Sequence, residues 1–247
     1  MGLSEPVILN DIVGIRRRGE AEPRRIGELT DHALRMLARP WAQGEAVVVK
    51  PSNILNPLAA GMLTLRPDAR AVLLHAPLET FLGSVARKGM WCRLWVRELL
   101  EGYLIDRAVD LGFEAKDYLR QTDLQVAAVG WLAQHALFHG LVARFGGRIA
   151  TLDSETLTEL PEAVLGPVAQ HFGLALNSAA AREIASGPIF RRHSKFGTDF
   201  SPDDRRREQA EANASHGEEI AQVAEWARVV ASAAGITMEL PNAIASR

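Results

Sequence analysis

Cysteine is nearly absent from this sequence: Cys92 is the only one among 247 residues. An intrachain disulfide is therefore excluded, stability must come from a packed core, and a reducing, cytoplasmic setting is the expectation. Charge of one sign is lacking too. Lys and Arg number 28 against 30 Asp and Glu, a formal net charge of −2. No global field draws the chain to nucleic acid or to an anionic membrane, so any anion must be held by a local cluster. No apolar run approaches the length of a membrane span. The first residues carry no basic stretch followed by an apolar one, so no signal peptide is expected.

Several chemical signatures are missing as well. G-x-S-x-G does not occur, which argues against a hydrolase of the nucleophile-elbow class. His135 and His139 have the i, i+4 spacing that can hold zinc, but Ala136, Leu137 and Phe138 lie between them and no third ligand is evident. A core histidine and a surface histidine are expected there, and no metal. The nearest approach to a phosphate loop of the form G-x-x-x-x-G-K-[ST] is Gly14 to Gly19, and Glu20 follows it with a carboxylate that repels phosphate. Cys92 stands between Trp91 and Leu94 on an apolar helix, a poor setting for a nucleophile.

What is present is an ordinary globular composition, 47% hydrophobic and 23% charged, enough for a sizeable core. One domain over residues 1–240 with a flexible tail over 241–247 is the expected organisation. Residues 46–89 are the most informative stretch. An apolar strand, Ala46 to Val49, runs into Lys50 and the polar turn Pro51-Ser52-Asn53. An apolar helix from Ile54 follows, then the turn Arg66-Pro67-Asp68, a second strand Ala71 to Leu74 ending at His75, and a helix beginning near Glu79. Strands without polar alternation are expected to be covered on both faces, as in a parallel sheet. In such a sheet ligands bind beyond the carboxyl ends of the strands.

Elsewhere the pattern predicts an extended start over Leu3 to Leu9, a surface loop over the Arg, Glu and Gly-rich residues 14–28, and a helix over 29–39. Long helices are predicted around Trp91 to Leu104 and Leu124 to Leu141, a third strand over Arg148 to Leu152, and a helix over 161–172. Ser201-Pro202-Asp203-Asp204 is a helix start: a hydroxyl cap, proline in the first turn and two acids at the positive dipole end. Before it, Gly187 to Ser201 reads as a basic loop. Arg191, Arg192 and Lys195 with His193 give it the cations to clamp a phosphate or sulfate.

These elements, taken together and in order, resemble the sulfotransferase family. The resemblance rests on Lys50-Pro51-Ser52-Asn53, on Arg66-Pro67-Asp68-Ala69 before an apolar strand, and on the loop and helix reaching Ser84. It extends to the Thr151-Leu152-Asp153 strand end, the Gly187 to Lys195 loop and the last helix with Glu218, Glu219, Ile220 and Trp226. It covers nearly the whole chain. It implies an α/β fold, a P-loop NTPase-like parallel sheet flanked by helices, here with a helix-rich second half. It also implies transfer of a sulfuryl group from 3′-phosphoadenosine 5′-phosphosulfate to a hydroxyl or amine, without a metal.

By that resemblance Ser84 holds the donor's 3′-phosphate. Lys50 stands beside the transferred sulfate, with Ser52 next to it. Arg191, Arg192 and Lys195 close over the nucleotide, and Glu5 is the candidate base. Three departures accompany it. Ala76 stands where the family's arginine partner of Ser84 is expected. Ser52 stands where cytosolic members carry a histidine. The phosphate-binding loop and the first, central strand belong before Ser4-Glu5-Pro6, which leads to the expectation of a truncated start and of a sheet open to self-association. A non-catalytic P-loop-like binding or scaffolding module is the alternative. A nucleotide kinase is disfavoured because no Walker lysine is present.

Overall fold

The structure is a computed structural model that describes residues 1–191 and 201–245. It is α/β and helix-rich, with two small parallel sheets among the described residues. Two compact units divide the chain, Met1–Ala69 with Glu101–Val109, and Arg70–Leu100 with Asp110–Arg247.

In the first unit, β1 (Gly2–Ser4) is followed at once by α1 (Val7–Arg17) and then α2 (Pro23–Leu37). Both departures from the sequence reading have a cause. Leu9, Ile12 and Val13 are buried and sit at i, i+3 and i+4, a helical stripe rather than an extended run. The region expected to be a loop shrinks to a tight turn. Gly19, at φ 67°, closes α1 while Glu20 N–H donates to the Ile15 carbonyl at 3.1 Å, and Pro23 opens the next helix. Leu9, Ile12, Val13, Ile26, Ala33 and Leu55 form the core of this unit.

β2 (Val48–Lys50) pairs in parallel with β1, placing Ser4 opposite Lys50. Val48 is 37% exposed, so this strand is not covered on both faces as its apolar run suggested. A short 3-10 helix (Asn53–Leu58) and α3 (Ala59–Leu65) follow. Arg66 donates to the Asp31 carboxylate at 2.7 Å and to its backbone carbonyl at 2.9 Å, tying the Arg-Pro-Asp turn to α2.

The arginines of α1 face inward. Arg17 donates twice to Asp106 Oδ2, at 3.1 and 2.6 Å, and Arg16 approaches Oδ1 at 3.1 Å. A Cβ on Gly102 would stand 2.5 Å from Arg17 Nη1, so the bare glycine is what lets the guanidinium cross the helix there.

In the second unit, β3 (Ala71–His75) pairs in parallel with β4 (Ile149–Asp153), in a register that sets His75 opposite Asp153. Between them run α4 (Leu78–Arg87), α5 (Gly89–Ile105), α6 (Ala115–Arg120) and α7 (Asp123–Phe145). Helix α7 is apolar on every side and its residues from Leu124 to Val142 are largely buried, as a helix in a core must be. Asp123–Arg148 is long and apolar enough to cross a membrane by length and composition, and most of its apolar part is buried within the protein. Thr122 starts α7 with a capping box shared with Gln125.

After β4 come α8 (Ser154–Glu159), α9 (Pro161–His171), α10 (Ser178–Ser186), a 3-10 helix (Pro188–Arg191) and α11 (Pro202–Ala233). Ser201 caps α11 through a capping box with Asp204, as its sequence predicts. Helix α11 lies against α4 at Gly83, where an added Cβ would meet the Gln209 side chain at 3.1 Å. Residues 242–244 run along an edge of β4. Thr151 N–H donates to the Asn242 carbonyl, and Ile244 N–H donates to the Thr151 carbonyl, each at 2.9 Å.

Candidate functional site

The carboxyl edge of the β1–β2 pair gathers four polar side chains. Lys50 ends β2, and its Nζ donates to Glu5 Oε1 at 2.6 Å. Glu5 follows β1 directly, and its backbone N–H donates to the Lys50 carbonyl at 2.6 Å. Glu5 holds φ at 50°, a left-handed conformation that costs a non-glycine residue on the order of 1 kcal/mol. Two bonds to one residue, one from the backbone and one to the side chain, keep it there. Two positions beyond Lys50, Ser52 Oγ donates to Asn10 Oδ1 at 3.0 Å, bridging the start of the 3-10 helix to the first turn of α1. The arrangement offers a cation, a carboxylate, a hydroxyl and an amide within one small edge. It can hold an anion on Lys50 and take a proton on Glu5.

The carboxyl edge of the β3–β4 pair has a different character. His75 and Asp153 stand in register at its end. Asp153 accepts from Glu155 N–H at 2.7 Å and so caps α8, and Thr80 on α4 donates to Glu155 at 2.7 Å. Behind this edge, His135 of α7 is 2% exposed. Its ring stacks on Trp131 with centroids 3.4 Å apart and meets the His75 ring edge-on at 5.6 Å. Its Nδ1 donates to the Trp131 carbonyl at 3.2 Å, and Trp131 Nε1 donates to the Ala76 carbonyl at 2.9 Å. Burial pushes the His135 imidazole down to about 3, and the neighbouring His75 and His139 push the same way. His75 is lowered by burial, with Asp153 opposing. Among the described residues no group of three or more His, Cys, Asp or Glu side chains could hold a metal ion.

The expected site residues fall as follows. Lys50, Glu5 and Ser52 come together on the β1–β2 edge in the first unit. Ser84 lies in the second unit, half-buried in the second turn of α4. It does not stand at the start of the helix, where free amides would have accompanied its hydroxyl. Arg191 closes the 3-10 helix after α10, while Arg192 and Lys195 lie outside the described residues. Asn10 and the Trp131–His135–His75 cluster escaped sequence reading. The i, i+4 spacing of Trp131 and His135 was the available signal for the stack, but its bond to Ala76 spans 55 residues.

No protein-family model matches this sequence, and neither a curated protein nor a solved structure matches it.

Proposed function

We propose that this chain is a sulfotransferase-like α/β protein of the P-loop type that binds 3′-phosphoadenosine 5′-phosphosulfate and directs its sulfuryl group to a hydroxyl or amine acceptor. The observation that carries this reading is the Lys50–Glu5 pair with Ser52 beside it, on the carboxyl edge of a parallel strand pair. In the proposed reaction the acceptor oxygen or nitrogen attacks sulfur, and the bond between sulfur and the bridging phosphate oxygen breaks. The electron pair leaves on adenosine 3′,5′-bisphosphate. Lys50 neutralises charge gathering on that bridging oxygen, and Glu5 receives the acceptor's proton. By the resemblance alone, Ser84 is the expected contact of the 3′-phosphate, and Arg191, Arg192 and Lys195 are the expected basic residues around the nucleotide.

Calorimetric titration of the whole chain with adenosine 3′,5′-bisphosphate tests it. Micromolar binding is expected, weakened about tenfold or more in Lys50→Ala and Ser84→Ala, the loss typical of a charge-assisted contact. A folded wild-type chain that gives no binding heat ends this reading. That result favours a binding or scaffolding module without catalysis, for which Ala76 speaks. No cation stands at that position, and its carbonyl is spent on Trp131.

A further inference from the structure

We propose that Asn10, rather than Ser52, is the side chain that meets the anion on the β1–β2 edge, with Ser52 acting to hold it in place. This rests on the sulfotransferase-like reading and assigns a ligand-contacting residue that the sequence did not suggest.

A serine hydroxyl has one proton, and an asparagine amide has one acceptor oxygen and two N–H donors. Ser52 spends its proton on Asn10 Oδ1, at 3.0 Å. What Ser52 then presents to a sulfate or phosphate is lone pairs, which repel it. What Asn10 presents is the opposite. With Oδ1 held by Ser52, the planar amide turns Nδ2 away from the hydroxyl. Nδ2 has no hydrogen-bond partner among the described residues and is not wholly buried, so both its protons are unspent. An amide N–H is a good donor to an anionic oxygen.

The backbone on both sides of the bond is fixed. Asn10 lies between Leu9, 1% exposed, and the buried pair Ile12 and Val13, so its Cα is set by the core of the first unit. Ser52 follows Pro51, whose ring locks φ, and Pro51 follows Lys50 at the end of β2. The bond joins residues 42 positions apart in sequence and is partly buried, so water competes with it less than with an exposed contact. Lys50 supplies the charge on this edge and Asn10 the directed donors, and Ser52 decides which end of the amide faces the ligand.

The test is calorimetric titration of adenosine 3′,5′-bisphosphate and, separately, of inorganic sulfate into wild type, Asn10→Ala, Asn10→Asp and Ser52→Ala, with thermal unfolding of each. Asn10→Ala is expected to weaken binding about tenfold. Asn10→Asp keeps the acceptor for Ser52, hence the fold, but replaces the donors with a negative charge, and is expected to weaken binding further still. Ser52→Ala is expected to weaken binding about threefold, less than Asn10→Ala, because the amide loses its orienting partner while its own contact with the ligand remains. If Ser52→Ala loses as much as Asn10→Ala, or if Asn10→Asp binds like wild type, the assignment is overturned while wild-type binding keeps the underlying reading. Absence of wild-type binding overturns both.

Discussion

His135 makes the second unit acid-sensitive in a window that few other groups share. The side chain is 2% exposed, lies against Trp131 and His75, and is held neutral, its pKa lowered from 6.5 to about 3. In the unfolded chain it takes a proton as the pH falls through its ordinary value, while in the folded chain it stays unprotonated down to the lowered one. Acid therefore feeds the unfolded state, and stability falls as pH drops below the unfolded value, levelling off only near the folded one. Between about pH 7 and about pH 5 the loss is about 2 kcal/mol, rising to about 4 kcal/mol near about pH 3.

The groups facing His135 push in the same direction. His75 and His139 add like charge if they protonate, and His75 is itself lowered by burial, with Asp153 as the opposing charge. Carboxylates lowered by surface pairing, such as Glu28 and Asp31, release their contribution only at lower pH, so the upper window reports the imidazoles. The assay is urea unfolding at several pH values, followed by far-ultraviolet circular dichroism and by tryptophan fluorescence. Fluorescence follows all five tryptophans, Trp131 among them. The control is His135→Gln, which removes the titrating ring and leaves a neutral polar group. Wild type is expected to lose about 2 kcal/mol between about pH 7 and about pH 5, and the variant most of that less. A wild-type profile flat across this window, or a variant with the same slope as wild type, refutes the reasoning.

Two further perturbations separate structural effects in the first unit. Asp106→Asn strands Arg16 and Arg17 beside a group whose carboxylate is only 2% exposed. Because the arginines keep some contact with water, the expected cost is about 2 kcal/mol rather than the larger figure for a fully buried pair, read as a lower urea midpoint. Gly102→Ala is expected to lose a similar amount through the clash with Arg17. Arg107 holds φ at 50° at the end of α5, with Ala108 N–H donating to the Tyr103 carbonyl at 3.0 Å in the closing turn. Arg107→Gly is expected to gain about 0.5–1 kcal/mol, since glycine takes this conformation without strain, and an unchanged or lowered melting temperature counts against it.

How much of this was legible depends on how far apart in sequence the decisive partners lie. The start of α11 was readable because its capping box sits in four consecutive residues, Ser201 to Asp204. The strand Ala71–His75 and helix Pro161–His171 were readable to within a residue because apolar runs, Pro161 and Gly173 mark them locally. Residues 14–17 were misread because Arg16 and Arg17 look solvated until Asp106, 89 positions from Arg17, folds against them. At the candidate site, Lys50 and Ser52 announced themselves as polar residues after an apolar strand. Asn10 did not, because its partner is 42 residues away and its own surroundings read as extended rather than helical.

Two ion pairs of the first unit share the same contact distance and have opposite meanings. Lys50–Glu5 and Arg17–Asp106 both close at 2.6 Å, so distance decides nothing. Exposure does. The Lys50 and Glu5 side chains are 66% and 50% exposed, and a pair in that much water is worth less than about 1 kcal/mol. An incoming sulfate or phosphate that takes Lys50 from Glu5 loses almost nothing by doing so, gains a charge-assisted contact, and leaves a carboxylate newly able to accept a proton. Arg17–Asp106 cannot be exchanged in this way, because the carboxylate is 2% exposed and would be left buried with Arg16 alone beside it. A binding edge needs pairs that are cheap to break and a scaffold needs pairs that are not. On the proposed reading, Lys50–Glu5 is the pair a ligand would open, and Arg17–Asp106 is the pair that holds α1 in place.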